Sequence, residues 1–277
     1  MRNRINFVTI FMLLAGLFAW AAPSTPVQAE GEPLLIGMEA AYPPYNWTQS
    51  DDSNNAVPIK GSNEFANGYD VQIARRIGEA LGRPVEIVKT EWDGLVPALQ
   101  SNKIDLIIAG MSPTEERAKV IDFSDPYYQI HFVMVMKKDS PFAEAKGIED
   151  FEGAKVSGQL ATLHYDLLDQ LAGADVQQAM KNFPAMRVAL QSGKLDAYVS
   201  EVPEALSATN ALDDLTYVVL DPSFDAPQED TVIAVGVKQG NQELLDAVNE
   251  ALAAISEEER EQIMEEVIGF QPAAVNE

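Results

Sequence analysis

The sequence contains no cysteine, only two histidines (His131 and His164), and 19 basic residues against 43 acidic ones. Each shortage closes off a class of function. Without cysteine there can be no disulfide, thiolate metal site, cysteine nucleophile or lipid-modified N-terminal cysteine. The stretch LAGL at residues 14–17 looks like a lipoprotein processing box with leucine in place of the essential cysteine. A net charge of −24 works against binding to nucleic acid or anionic membranes. It fits either solubility in a salty or alkaline medium or attraction of a cationic ligand. The motifs HExxH and GxSxG and a phosphate loop are missing as well. The stretch SDDSNN, residues 50–55, lacks the glycine and terminal glutamate of a calcium loop and reads as a solvated hairpin tip. No metal or cofactor is expected.

Long apolar runs are lacking beyond the first 22 residues. Arg2 and Arg4 precede an apolar run at residues 7–22, and small residues follow it up to Ala29. The run stops at Pro23, short of the roughly 20 residues needed to cross a bilayer. This is the pattern of a secretory signal peptide. Residues 1–29 are expected to be a leader cut near Ala29, with Ala19 and Ala21 offering an earlier site. The rest is expected to be exported to the periplasm or cell surface, free or held by a retained leader.

What is present is a regular alternation. LLIGM, PVEIVKT and KIDLIIAGM read as strands, while GYDVQIARRIGEALG and WDGLVPALQS read as helices, the first with Val71, Ala74, Ile77 and Leu81 on one face. A second series begins near Asp150 with AKVSGQ, LHYDLLDQLA, FPAMRVALQSG, KLDAYVSE and PEALSATNAL. Such a rhythm predicts an α/β fold with largely parallel sheets covered by helices. Two apolar β-branched runs, residues 131–138 and 230–238, connect the modules and act as a hinge. The expected organisation is a first lobe of residues 30–131 and 231–277, the latter with C-terminal helices striped by Leu245, Val248, Leu252 and Ile255, around a second lobe of residues 132–230.

One eight-residue phrase occurs twice, as ALQSNKID at 98–105 and ALQSGKLD at 189–196. In each copy ALQS ends a helix, Asn102 or Gly193 supplies a left-handed cap, and the next residues launch a strand. The first strand runs out into Gly110, Met111 and Ser112, the second into Ser200 and Glu201. Ligands of open parallel sheets bind outside the carboxyl ends of strands, so two facing modules would bring both exits to one cleft.

The residues beyond these exits have complementary chemistry. Ser112 to Glu115 fits a capping box with proline at the first helical position, and Thr114 could cap one step later. Arg117 can turn its fork to the same point and hold a carboxylate bidentately, or it can pair on the surface with Glu115 or Glu116. Ala161 and Thr162 form a second helix start with amide donors. Glu201 either meets a ligand ammonium or serves as a helix cap before Pro203. Arginine and amides for a carboxylate, with a glutamate for an amine, make a recess suited to a free α-amino acid.

AAYPPYNW, GYDVQIARRIGEALG, EWDGLVPALQSNKIDLIIAGMSPTEERAKVIDFSDPYY and KLDAYVSEVPEA together resemble the extracellular solute-binding proteins of family 3, over nearly all of residues 33–272. The resemblance implies the two-lobe type II periplasmic-binding-protein fold. It also implies a non-catalytic, monomeric receptor that delivers a free L-amino acid to an ABC-transporter permease with its cytoplasmic ATPase. It assigns ligand-facing aromatics to Tyr42 and Trp92, amine acceptors to Gly110 and Ser112, and the carboxylate clamp to Arg117. Ala161 and Thr162 stand for the family's Gly-Thr or Ser-Thr pair, and Glu201 for its usual aspartate. Glu39 occupies the position from which relatives that bind basic amino acids reach the distal cation, which suggests arginine stacked between Tyr42 and Trp92, with glutamine or another polar amino acid as the alternative. His164 either lines the pocket or is an exposed helix-start residue. A secreted dehydratase of the cyclohexadienyl type on the same scaffold would use Glu201 or Glu39 as proton donor. A sensing domain of a kinase or channel is disfavoured by the lack of any further module before Glu277.

Overall fold

The computed structural model describes residues 31–271. The expected leader lies outside these residues. Among the described residues no helix is long and apolar enough to cross a membrane.

Two five-stranded sheets form the cores of two lobes. In the first, Leu34–Met38 lies between Val85–Lys89 and Leu106–Ile107, with both pairings parallel. Val232–Lys238 and Ile121–Gln129 then extend the sheet antiparallel. In the second, Lys155–Ser157 lies between Asp175–Val176 and Ala197–Glu201 in parallel, and Phe132–Lys137 and Leu215–Val218 are added antiparallel. The βαβ rhythm therefore accounts for three strands of each sheet, and the remaining two make each sheet mixed. Phe132–Lys137 has neighbours on both edges, and Val133 to Met136 are fully buried. Most of the run expected as an extended connector is therefore a central strand of the second sheet, which an apolar run without alternation suits.

The repeated phrase builds the same joint in both lobes. Asn102 and Gly193 take left-handed conformations, with φ of 57° and 70°. The next amide bonds back into the helix in each copy, Lys103 to Ala98 and Lys194 to Ala189, both at 2.9 Å. The closing aspartates then clip the neighbouring strand from both sides of the peptide. Asp105 donates its amide to the Leu35 carbonyl at 2.8 Å and accepts the Leu35 amide at 3.0 Å on its carboxylate. Asp196 makes the matching pair with Lys155, both at 2.8 Å.

The chain passes between the sheets just after Gln129 and returns just before Val232. The two crossings are tied together, because Ile130 donates its amide to the Thr231 carbonyl at 2.8 Å and the Gln129 side chain donates to the same oxygen at 2.7 Å. A small antiparallel sheet of Ala41–Tyr42, Asn46–Gln49, Phe65–Asn67 and Val57–Pro58 flanks the first lobe. Residues 50–55, at its edge, are exposed and end in a single 3-10 turn, Ser53–Asn55. Helix Tyr69–Leu81 buries Val71, Ala74 and Ile77 as expected and ends at Gly82 in a left-handed cap. The C-terminal helices Gln242–Ala253 and Glu257–Phe270 bury Val248, Leu252 and Val267 and leave an acidic outer face.

Candidate functional site in the interlobe cleft

The strand exits of the two lobes face each other. Tyr42, Trp92, Gly110, Ser112, Arg117 and Thr162 line one cavity between the lobes. It contains about 350 Å³ of space free of protein atoms, part of it open to solvent. Glu39, Ala161 and Glu201 stand one contact behind the lining. All nine expected residues are thus brought into one cluster. Phe132, Gln159 and His164 also line it.

Arg117 belongs to a single short turn, Glu115–Ala118, whose N-cap is Thr114. The Thr114 hydroxyl accepts the Arg117 amide at 3.4 Å, so the later of the two capping choices is the one made. The guanidinium does not pair with Glu115, which meets Lys119 at 3.4 Å. It lies 5.2 Å from the centre of the Trp92 ring and donates to the Ser112 carbonyl at 2.8 Å and to the Ala161 carbonyl of the other lobe at 3.2 Å. Burial lowers its pKa, while Asp230, Asp166 and Glu116 raise it. A cation partly stripped of water and held by carbonyl dipoles is well suited to exchange those dipoles for a carboxylate.

Ala161 is a left-handed alanine with φ of 57°, a conformation that costs an L-residue about 1–2 kcal/mol. The turn aims its carbonyl across the cleft at Arg117 and at the Trp92 indole, which donates at 2.9 Å. Thr162 is buried, and its hydroxyl donates to the Gln159 carbonyl at 2.8 Å.

Glu201 ends strand Ala197–Glu201 and occupies the N-cap position of helix Val202–Ala211, but its side chain makes no cap hydrogen bond. The carboxylate turns into the cleft instead, 1% exposed. It accepts from the Tyr42 hydroxyl of the opposite lobe and lies 2.6 Å from His164 Nε2. His164 therefore lines the cavity and is not an exposed helix-start residue.

Gly110 has φ of 63°, and a Cβ there would meet the Tyr42 ring at 2.9 Å, so this exit admits only glycine without displacing Tyr42. Behind it lies a buried carboxylate that no sequence pattern singles out. Asp70 accepts from the Tyr127 hydroxyl at 2.7 Å and the Asn46 amide at 2.8 Å, and Tyr127 in turn accepts the Gly110 amide at 3.3 Å. Burial pushes the Asp70 pKa up to about 7 against the pull of these hydrogen bonds.

Glu39 is buried and accepts from the Gln159 side-chain amide of the other lobe at 2.9 Å. Burial raises its pKa to about 7, with the Gln159 hydrogen bond opposing and the Glu91 charge adding. Lys181 also lowers it, but that lysine is engaged with Glu91 at 2.9 Å. The expected aromatic sandwich is filled differently. Tyr42 stacks on Phe183 with centroids 4.5 Å apart and 11° between planes, and the Trp92 face is taken by Arg117. The two rings are walls of the cleft, each already packed on one face.

The family model for the bacterial extracellular solute-binding proteins, family 3, matches residues 34–270. The chain belongs to that family. Its relatives include the L-cystine-binding protein TcyJ of Escherichia coli, 30% identical and covering 93% of this chain and 91% of that protein. The L-arginine-binding protein of Pseudomonas aeruginosa is 29% identical, with 88% and 90% covered. Among solved structures, an ancestral arginine-binding protein bound to arginine superposes with a TM-score of 0.69 at 32% identity, covering 86% of this chain and 98% of that one. These relatives are binding proteins, and the fold of this chain is the two-lobe type II periplasmic-binding-protein fold.

Proposed function

We propose that this family member is the extracytoplasmic receptor of an ABC importer, taking up a basic amino acid, arginine first, by hinge closure and delivering it to a membrane permease. The observation that carries the choice of a basic ligand is Glu39. A buried carboxylate whose hydrogen-bond partner is a neutral amide bears a desolvation cost that a guanidinium or ammonium would offset. The α-carboxylate goes to Arg117 and the amide of Thr162, and the α-ammonium to Glu201 with the Gly110 carbonyl and the Ser112 hydroxyl. The groove outside the cavity carries Asp93, Glu115, Glu116, Asp166 and Asp230 against Arg117 and Lys119, and a net negative field raises the local concentration of cations. Glutamine or another polar amino acid is the alternative. L-cystine is a second reading, supported by the relative from Escherichia coli.

A thermal-shift panel of the twenty amino acids plus L-cystine tests this. A ligand present at 1,000 times its Kd stabilises the folded form by about 4 kcal/mol, which for a chain of this size raises Tm by roughly 10 °C. Arginine is expected to give the largest shift and lysine the next. A larger shift with cystine or glutamine overturns the choice of ligand, and no shift with any amino acid overturns the receptor reading.

A further inference from the structure

A lone glutamate serves poorly as an amine anchor, because its extra methylene gives the carboxylate one more bond about which to rotate than aspartate has. Here the carboxylate is not alone. His164 Nε2 lies 2.6 Å from one Glu201 oxygen, and the Tyr42 hydroxyl donates to the other. The imidazole is itself gripped edge to face by two rings. Phe132 stands 5.5 Å away at 85°, and Phe183 stands 5.6 Å away at 88°. Phe132 is also the strand partner of Glu201 in the second sheet, so the wall that holds the histidine is registered against the residue it bonds. An ionised carboxylate only accepts, which places the proton on Nε2. Nδ1 is buried with no hydrogen-bond partner among the described residues, so the contact with Glu201 is the single polar tether fixing the ring.

We infer that His164 is a positioning residue for the amine subsite, locking the Glu201 carboxylate in the orientation that receives the ligand's α-ammonium. The inference rests on the reading of the cleft as an amino-acid site. His164 acts through Glu201, so its removal weakens ligands in proportion to what their amine contributes.

The test compares L-arginine with 5-guanidinopentanoic acid, which is arginine without its α-amine, by titration calorimetry. If the panel selects another amino acid, that acid and its deaminated counterpart take their place. His164→Phe keeps a ring between Phe132 and Phe183 but removes the donor. It is expected to weaken the amino acid by about ten- to a hundredfold, the range for a hydrogen bond to a charged group, and to leave the deaminated acid within about threefold. His164→Gln, which restores an N–H donor, is expected to recover most of the preference. In Glu201→Gln, adding His164→Phe is expected to cost little more. Equal weakening of both ligands by His164→Phe, or an unchanged preference, overturns the role of His164. A wild-type protein that does not prefer the α-amine form overturns the amine subsite itself, which is a separate and distinguishable result.

Discussion

The two lobes begin their site-forming strands from nearly the same eight residues, yet end them in opposite chemistry. In the first lobe the joint at Asp105 leads to Gly110 and Ser112, neutral groups backed by Arg117. In the second the joint at Asp196 leads to Glu201, an acid buried against His164. The two exits therefore carry a cation on one side and an anion on the other, with Glu39 adding a second carboxylate on the first lobe's side, and the shared joint only fixes where the exit groups emerge. Equivalent scaffolds with opposite exits are what a zwitterion requires, since neither lobe alone satisfies both of its charged ends.

The largest expected effect comes from removing one side of this pairing. Arg117→Ala should lower affinity for the preferred amino acid by more than a hundredfold in calorimetry, because a carboxylate desolvated without a cation loses more than one charge-assisted hydrogen bond. The comparison sharpens if agmatine, arginine without its carboxylate, is bound equally by wild type and the variant. Near-normal affinity of Arg117→Ala for arginine would break it.

A middle-sized effect concerns protons. The Glu39 pKa is raised to about 7, above its ordinary value. The folded protein therefore holds a proton over the interval from about 4.5 to 7 that the unfolded chain has lost, and this contribution to stability fades as pH rises toward 7. A cationic side chain reaching Glu39 favours its ionised form, so binding releases a proton and affinity for arginine should rise about tenfold between pH 6 and 8. Calorimetry in buffers of different ionisation enthalpy should detect that release in wild type and lose it in Glu39→Gln. A pH-independent affinity would remove Glu39 from contact with the ligand.

Much of this arrangement is legible in the sequence alone, for reasons that differ by residue. The strands and helices around the repeats carry local signals: apolar runs, left-handed caps at Asn102 and Gly193, and proline at helix starts. Arg117 and Glu201 are legible because each follows a strand exit. Gln159, Phe183 and Asp70 are not. Gln159 matters through a contact with Glu39 across 120 positions, which no local pattern encodes, and Phe183 reads as an ordinary helix-start apolar residue until it stacks on Tyr42. The small sheet at residues 41–67 contains strands of two to four residues, too short for alternation to register. His164 has two open readings in sequence, and the choice between them depends on Glu201 turning away from its helix.

The smallest expected effect tests whether the repeat is one device used twice. Asp196→Ala removes the carboxylate that accepts the Lys155 amide and should cost about 1 kcal/mol in urea unfolding. Asp105→Ala removes the equivalent acceptor for Leu35 and also the partner of Arg83, paired at 3.0 Å, so it should cost somewhat more. That ion pair is part exposed, which limits its added share to a fraction of about 1 kcal/mol. In an Arg83→Ala background the two aspartate substitutions should therefore converge to similar losses. Persistent divergence there would mean that the two joints, alike in residues and hydrogen bonds, hold their lobes by different means.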